Sequence, residues 1–198
     1  MWTRRSLLVA LALPAATAAF AQASLKPDTT PRMPPQAGQG LPIEDKDFLQ
    51  RASNLSRAEI DAGKVAAEKA NDPALKTLAS DLANEHTTLL AELRERAARF
   101  DAKAAVDDAK PGGWETDIKL FSGLTGEAFD RGYLGWQMRA HLALVNLYQT
   151  QASHSPESDL AKFAIIRLNE IQRRFDALKE LGGRYGLKAD TVGQPPQY

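Results

Sequence analysis

Cysteine is absent from the 198 residues of this sequence. The chain therefore forms no disulfide bond, offers no thiol nucleophile and supplies no thiolate ligand to a metal, which excludes several classes of enzyme and of metal site. A glycine-rich phosphate-binding loop and an adjacent Ser-His-Asp arrangement are also missing. The remaining class of enzyme is one whose reaction is assisted by a bound metal. We expect that the protein is not an enzyme.

The sequence also lacks an excess of charge of either sign, since it has 25 basic and 25 acidic residues. The two kinds are interleaved, whereas binding to nucleic acid requires a clustered positive field. After the N-terminal segment, no run approaches the roughly 20 consecutive apolar residues of a membrane helix. We therefore predict a soluble mature protein that binds no nucleic acid and has no transmembrane segment.

Residues 1–21 have the features of a signal peptide. Arg4-Arg5 precedes an apolar run, and Ala19-Phe20-Ala21 has the small residues of a cleavage site. The paired arginines followed by Leu7-Leu8 resemble the twin-arginine export signal, and an ordinary secretory signal is the alternative. We predict export to the periplasm with cleavage near Ala21, which leaves 23 basic and 25 acidic residues and a formal charge of −2.

The composition divides the rest of the chain into three parts. Residues 22–43 contain five prolines and no apolar period, which predicts a disordered linker. In residues 44–187 the prolines coincide with breaks in the hydrophobic pattern, as expected for a helical domain. Residues 188–198 are predicted to be a flexible tail.

Apolar residues recur every three or four positions in four long segments of the domain, which predicts four helices. Asp72-Pro73 and Ser155-Pro156 each provide an N-cap and a first-turn proline, so two tight turns make two antiparallel hairpins. A long link, Asp101 to Leu124, joins the hairpins and contains the amphipathic piece Trp114 to Phe121. This order of loop lengths predicts an all-α, ferritin-like four-helix bundle with one long crossover.

Three polar residues lie on the inward faces of these helices. Glu59, His86 and His141 each stand three or four positions from apolar residues of their own helix. Glu85 and Glu170 lie near the edges of the same stripes and could add carboxylates. Because an unpaired buried charge is costly, the group is either a hydrogen-bonded layer that fixes helix register or a site for iron or another divalent metal.

The usual di-iron pattern of ferritin-like proteins does not fit this group. That pattern needs a Glu-x-x-His motif on each of two helices. Ala83 stands three residues before His86, and Met138 stands three residues before His141. We therefore expect no ferroxidase centre.

The remaining candidates receive structural interpretations. His154 is expected to be an exposed loop residue, and the charged residues of the last helix are expected to pair along one face. An aromatic group should pack the long link against the end of the bundle, with a small-molecule pocket as the alternative. Its members are Trp114, Phe121, Phe129, Tyr133 and Trp136.

Several short motifs, in this order and spacing, resemble an exported ferritin-like family, the domain of unknown function 4142. They are Asp47-Phe48-Leu49, Ala58-Glu59-Ile60, Gly63-Lys64-Val65-Ala66, Lys76-Thr77-Leu78-Ala79, Glu85-His86, Ala128 to Leu134, and His141. The resemblance spans nearly all of residues 44–187. It implies a periplasmic helical bundle, often labelled an outer-membrane protein, without an established reaction.

The resemblance also bears on the metal alternative. In that family the last helix often carries a further histidine, and Arg174 stands at the position that we align to it. We therefore predict a non-enzymatic module that binds an unknown protein or envelope partner or stabilises the envelope under stress. The alternative is a metal-binding or redox protein that uses Glu59, His86 and His141.

Overall fold

The computed structural model describes residues 41–109, 112–155 and 157–188. Within these ranges the chain forms helices and no strand, which confirms the all-α class. The helices are α1 (Ile43–Lys69), α2 (Pro73–Arg99), α3 (Lys103–Asp107), α4 (Trp114–Ser122), α5 (Gly126–His154) and α6 (Ser158–Arg184). No helix in the described ranges is both long and apolar enough to cross a membrane. The predicted signal peptide, residues 22–40 of the predicted linker and residues 189–198 of the predicted tail lie outside the described residues.

The tight turn between α1 and α2 forms as predicted. Asp72 is the N-cap of α2, and its Oδ1 accepts a hydrogen bond of 2.8 Å from the backbone N–H of Ala74, while Pro73 is the first helical residue. The two helices approach closely at Gly63, where an added Cβ would lie only 2.7 Å from the backbone oxygen of Ala79. A glycine on the small-residue face of α1 therefore allows the two backbones to pack against each other.

The turn between α5 and α6 differs from the prediction. The residue that caps α6 is Glu157, whose carboxylate accepts a hydrogen bond of 3.1 Å from Asp159 N–H, so the predicted cap at Ser155 is wrong. The Ser155 hydroxyl instead donates to Asp45 Oδ1 at 2.7 Å, and Gln151 Nε2 donates to the same oxygen at 2.5 Å. Asp45 is fully buried and needs these donors, which tie the turn to the start of α1.

Long-range hydrogen bonds define how the two hairpins are arranged. Asp45, near the start of α1, contacts Gln151 near the end of α5. At the other end, Asp130 of α5 accepts hydrogen bonds from the backbone N–H groups of Asn71 and Asp72, at 2.8 and 3.0 Å. Helix α5 is therefore antiparallel to α1 and parallel to α2. Because α2 and α5 are parallel, the link between them must run back along the length of α2. That length is roughly 40 Å for the 27 residues of α2, so the link is a crossover, as predicted.

Two short helices hold the crossover in place. Helix α3, which the sequence pattern did not predict, is fixed by a hydrogen bond of 2.8 Å from Arg57 to the backbone oxygen of Val106. An ion pair of 2.7 Å between Arg94 and Asp107 fixes it to α2. Helix α4 corresponds to the predicted amphipathic piece.

The aromatic group packs α4 against α5, as predicted. All five of its side chains are buried. Trp114 meets Trp136 edge to face with ring centroids 5.9 Å apart, and Phe121 meets Phe129 in the same way at 5.7 Å. These contacts hold α4 of the crossover against the first turns of α5.

Candidate metal centre

Glu59, His86 and His141 meet in the interior of the bundle. Their exposed fractions are 0%, 4% and 2%. One potential ligand atom of each residue lies within 4.8 Å of those of the other two. Helices α1, α2 and α5 each contribute one member, so the site exists only when both hairpins are packed together.

The two carboxylate oxygens of Glu59 have different environments. Oε2 accepts a hydrogen bond of 2.8 Å from Gln137 Nε2. Oε1 is buried and lies 3.3 Å from Nδ1 of His141. Glu59 therefore presents one oxygen held by Gln137 and one oxygen directed toward His141.

Each histidine has a partner near its Nδ1 atom. Nδ1 of His141 lies 3.2 Å from the backbone oxygen of Gln137, and Nδ1 of His86 lies 3.5 Å from the Ser56 hydroxyl. The two rings are nearly perpendicular, with centroids 6.1 Å apart. In the tautomer that carries its proton on Nδ1, directed at such a partner, Nε2 is unprotonated and can bind a metal.

Burial and the neighbouring charges set the protonation states of the site. Burial alone would raise the pKa of Glu59, but His141, His86 and the hydrogen bond from Gln137 outweigh it and hold that pKa below its usual 4.5. Burial lowers the pKa of His86 to about 4, although Glu59 opposes this change. His141 and Arg174 add to the lowering. Near neutral pH the site therefore holds an ionised carboxylate beside a neutral His86, as metal ligation requires.

Gln137 supports the site, and the sequence analysis missed it. Its Nε2 donates to Glu59 and also to the Tyr133 hydroxyl, at 2.8 and 3.0 Å. Its side chain is fully buried. The signal was its position four residues before His141, which places both side chains on one face of α5.

Glu85 and Glu170 do not join the buried group. Their side chains are 50% and 48% exposed, respectively. Glu85 pairs with Arg174, and Glu170 pairs with Arg167, which also pairs with Glu92. The expectation that both carboxylates add to the inner layer is thus not met, because arginines of α6 hold them at the surface. The predicted charge pairing along α6 is present in the Arg167–Glu170 pair.

The three inner residues fit a single metal ion. An ion with bonds of about 2.1 Å in tetrahedral geometry holds its ligand atoms about 3.4 Å apart. The ligand atoms at this site lie within 4.8 Å of one another. To bind one ion together they would have to move by about 1 Å, which small side-chain rotations can supply. The Glu59 carboxylate supplies the negative charge that such an ion would neutralise.

A similar fold is found in a crystal structure from Streptomyces coelicolor, described as that of a secreted protein, DUF305. The TM-score is 0.63 at 16% sequence identity, over 74% of this chain and 94% of that chain. At this identity the likeness concerns the fold alone. No curated protein matches the sequence.

A family model matches residues 30–181, and its description is Domain of unknown function (DUF4142). This range includes α1 to α5, most of α6 and all three residues of the inner group. It covers well over half of the chain. The protein therefore belongs to the DUF4142 family.

Proposed function

We propose that this protein binds one divalent transition-metal ion within its helical bundle, with Glu59, His86 and His141 as the ligands. The observation that carries the proposal is the convergence of three buried donor side chains, whose potential ligand atoms lie within 4.8 Å of one another. A layer that served only to fix helix register would not need two imidazoles and a carboxylate to meet at one point. This convergence favours the metal interpretation over the purely structural one.

The donor set limits the kind of metal. Two imidazoles and one carboxylate suit zinc, iron(II) and similar ions, whereas calcium and magnesium prefer oxygen ligands throughout. Without cysteine the chain offers no thiolate to a soft ion such as copper(I). Glu85 and Glu170 are engaged with arginines at the surface, so the site fits one ion rather than two.

The protein's own contribution is to hold and orient the ligands. Gln137 fixes Glu59 through one oxygen, and Ser56 lies beside His86. When bound, an ion with three protein ligands supplies Lewis acidity or, for iron, redox chemistry at an open coordination position. The earlier expectation of a protein or envelope partner stays a prediction, and the metal site is compatible with it.

Export forms part of the proposal. Its support is the signal-like pattern of residues 1–21 and the description of the Streptomyces coelicolor protein as secreted. A metal site in an exported protein would obtain its ion outside the cytoplasm, unless the twin-arginine route carried the folded, loaded protein across the membrane.

Metal analysis of the purified protein tests the proposal. We expect near-stoichiometric zinc, iron, manganese or copper in protein isolated from the periplasm without chelators. The double substitution His86→Ala/His141→Ala should abolish it. The matched control is His154→Ala, because His154 is exposed at the end of α5 and lies outside the inner group. Wild-type protein that stays free of metal, even after dialysis against zinc or iron(II), would refute the proposal.

A further inference from the structure

A pocket of about 540 Å³ leads from the protein surface to the inner group. It lies between α2 and α6. The buried His86 and His141 form its floor, and the exposed Thr88 lies at its rim. The face of the site that the protein does not fill therefore opens into a space large enough for a small organic molecule.

The wall of this pocket is partly apolar. Leu89 of α2 and Ile171 of α6 line it and are each 8% exposed, and Ala177 adds a further apolar group. Apolar side chains together with a few polar groups are typical of small-molecule sites. A ligand that fills the pocket is therefore expected to carry an apolar body.

The charges of the pocket favour an anion. Arg167 and Arg174 line it, and each is paired with a glutamate, Glu170 or Glu85, that lines the pocket as well, so these charges offset one another. Arg173 lines the pocket as well and forms no ion pair with any described residue. A divalent ion bound by two neutral imidazoles and one carboxylate keeps an uncompensated positive charge, which adds to that of Arg173.

We propose that the pocket between α2 and α6 binds a small organic carboxylate, which ligates the metal at its open position and pairs with Arg173. This inference rests on the metal site proposed above. The carboxylate group meets both positive charges, and the apolar body lies against Leu89 and Ile171. A ligand of this class would contact both the cationic groups and the apolar wall of the pocket.

Titration calorimetry with benzoate tests the inference. Zinc binding to the wild-type protein is measured first. Benzoate is then titrated into the zinc-loaded and the zinc-free protein, and we expect binding to the zinc-loaded form only. Arg173→Gln should weaken benzoate binding about tenfold, through the loss of one charge-assisted contact, without changing zinc content. The matched control is Arg51→Gln, an exposed arginine of α1 that pairs with Asp47, which should leave benzoate binding unchanged.

Two further probes define the class of ligand. Benzamide has the size of benzoate but no charge, and inorganic phosphate has charge but no apolar body. We expect both to bind at least about tenfold more weakly than benzoate. Equal binding of either probe, or equal benzoate binding by Arg173→Gln, would overturn the inference while the zinc result stands. Absence of zinc binding in the first step would instead refute the proposed function, and the inference with it.

Discussion

Glu59 of α1 and Gln137 of α5 are joined by a buried hydrogen bond of 2.8 Å, although 78 residues separate them in the sequence. The bond links the two hairpins at the level of the inner group. It also uses one carboxylate oxygen of Glu59 and leaves the other directed at His141. The helix contact and the candidate metal ligand thus depend on the same side chain.

Glu59→Gln should remove the anionic ligand while keeping the shape of the side chain. We expect metal affinity to fall at least about 100-fold, since even residues that only support a ligand cost 10-fold to 100-fold. Competition with a chromophoric chelator measures the affinity. Glu170→Gln is the control, and it should change affinity less than about threefold because this half-exposed carboxylate is screened by solvent. Equal losses in the two variants would contradict the assignment of Glu59.

Gln137→Leu should destabilise the metal-free protein. The substitution leaves Glu59 Oε2 buried without its donor, which costs about 2–3 kcal/mol of unfolding free energy. Urea unfolding measures the loss. In a double-mutant cycle with Glu59→Leu we expect a coupling energy of about 1–2 kcal/mol. Strictly additive costs would show that the two side chains do not interact in solution.

Acid should weaken the metal-free protein through His86. The unfolded chain takes up a proton on this residue below about pH 6.5, whereas the folded protein, whose His86 pKa is lowered to about 4, does not. His86 therefore takes nothing from the free energy of unfolding above about pH 6.5, and it lowers that free energy by about 3 kcal/mol as the pH drops to about 4. The charged or titratable groups that act on His86 are Glu59 from α1, His141 from α5 and Arg174 from α6.

Urea unfolding at several pH values between 4 and 7.5 checks this dependence. His86→Gln should flatten the curve within the window, whereas His154→Ala should leave it unchanged. The pKa of Glu59 is also lowered, so its contribution is lost only at more acidic pH, below its usual value of 4.5. A wild-type curve that is flat between pH 4 and 6.5 would contradict the burial of His86 as a neutral side chain.

Two glycines of the long helices should respond in opposite directions to alanine. Gly63→Ala places a Cβ 2.7 Å from the backbone oxygen of Ala79, so we expect a loss of about 2 kcal/mol as the α1–α2 contact opens. Gly183 lies in the last turn of α6, with no described atom within 4 Å of an added Cβ. Gly183→Ala should therefore stabilise the protein by about 0.5–1 kcal/mol. Thermal unfolding compares the stabilities of the two variants. If Gly63→Ala left stability unchanged, α1 and α2 would be farther apart at this position in solution than in the structure.

Much of the fold could be predicted because its signals are local. The Asp72-Pro73 cap and the apolar period set the hairpin of α1 and α2, and both lie within a few residues of the structure that they cause. Helix α3 escaped prediction, since its five residues are too few for a period and depend on Arg57 and Arg94 of other helices. Ser155 was misassigned because buried Asp45, 110 residues away, takes its hydroxyl.

The sequence by itself determined which faces of the helices turn inward, and so it identified Glu59, His86 and His141 as inner residues. The tertiary structure alone decided that these three lie at one height and that Glu85 and Glu170 do not join them. The physical reason is that the helical period fixes only the direction of a side chain around its own axis. Its height relative to other helices depends on turns and packing between segments far apart in sequence, such as the Asp45–Gln151 and Asp130–Asn71 contacts. In the same way, the arginines that hold Glu85 and Glu170 at the surface belong to α6, and only folding brings Arg174 to Glu85.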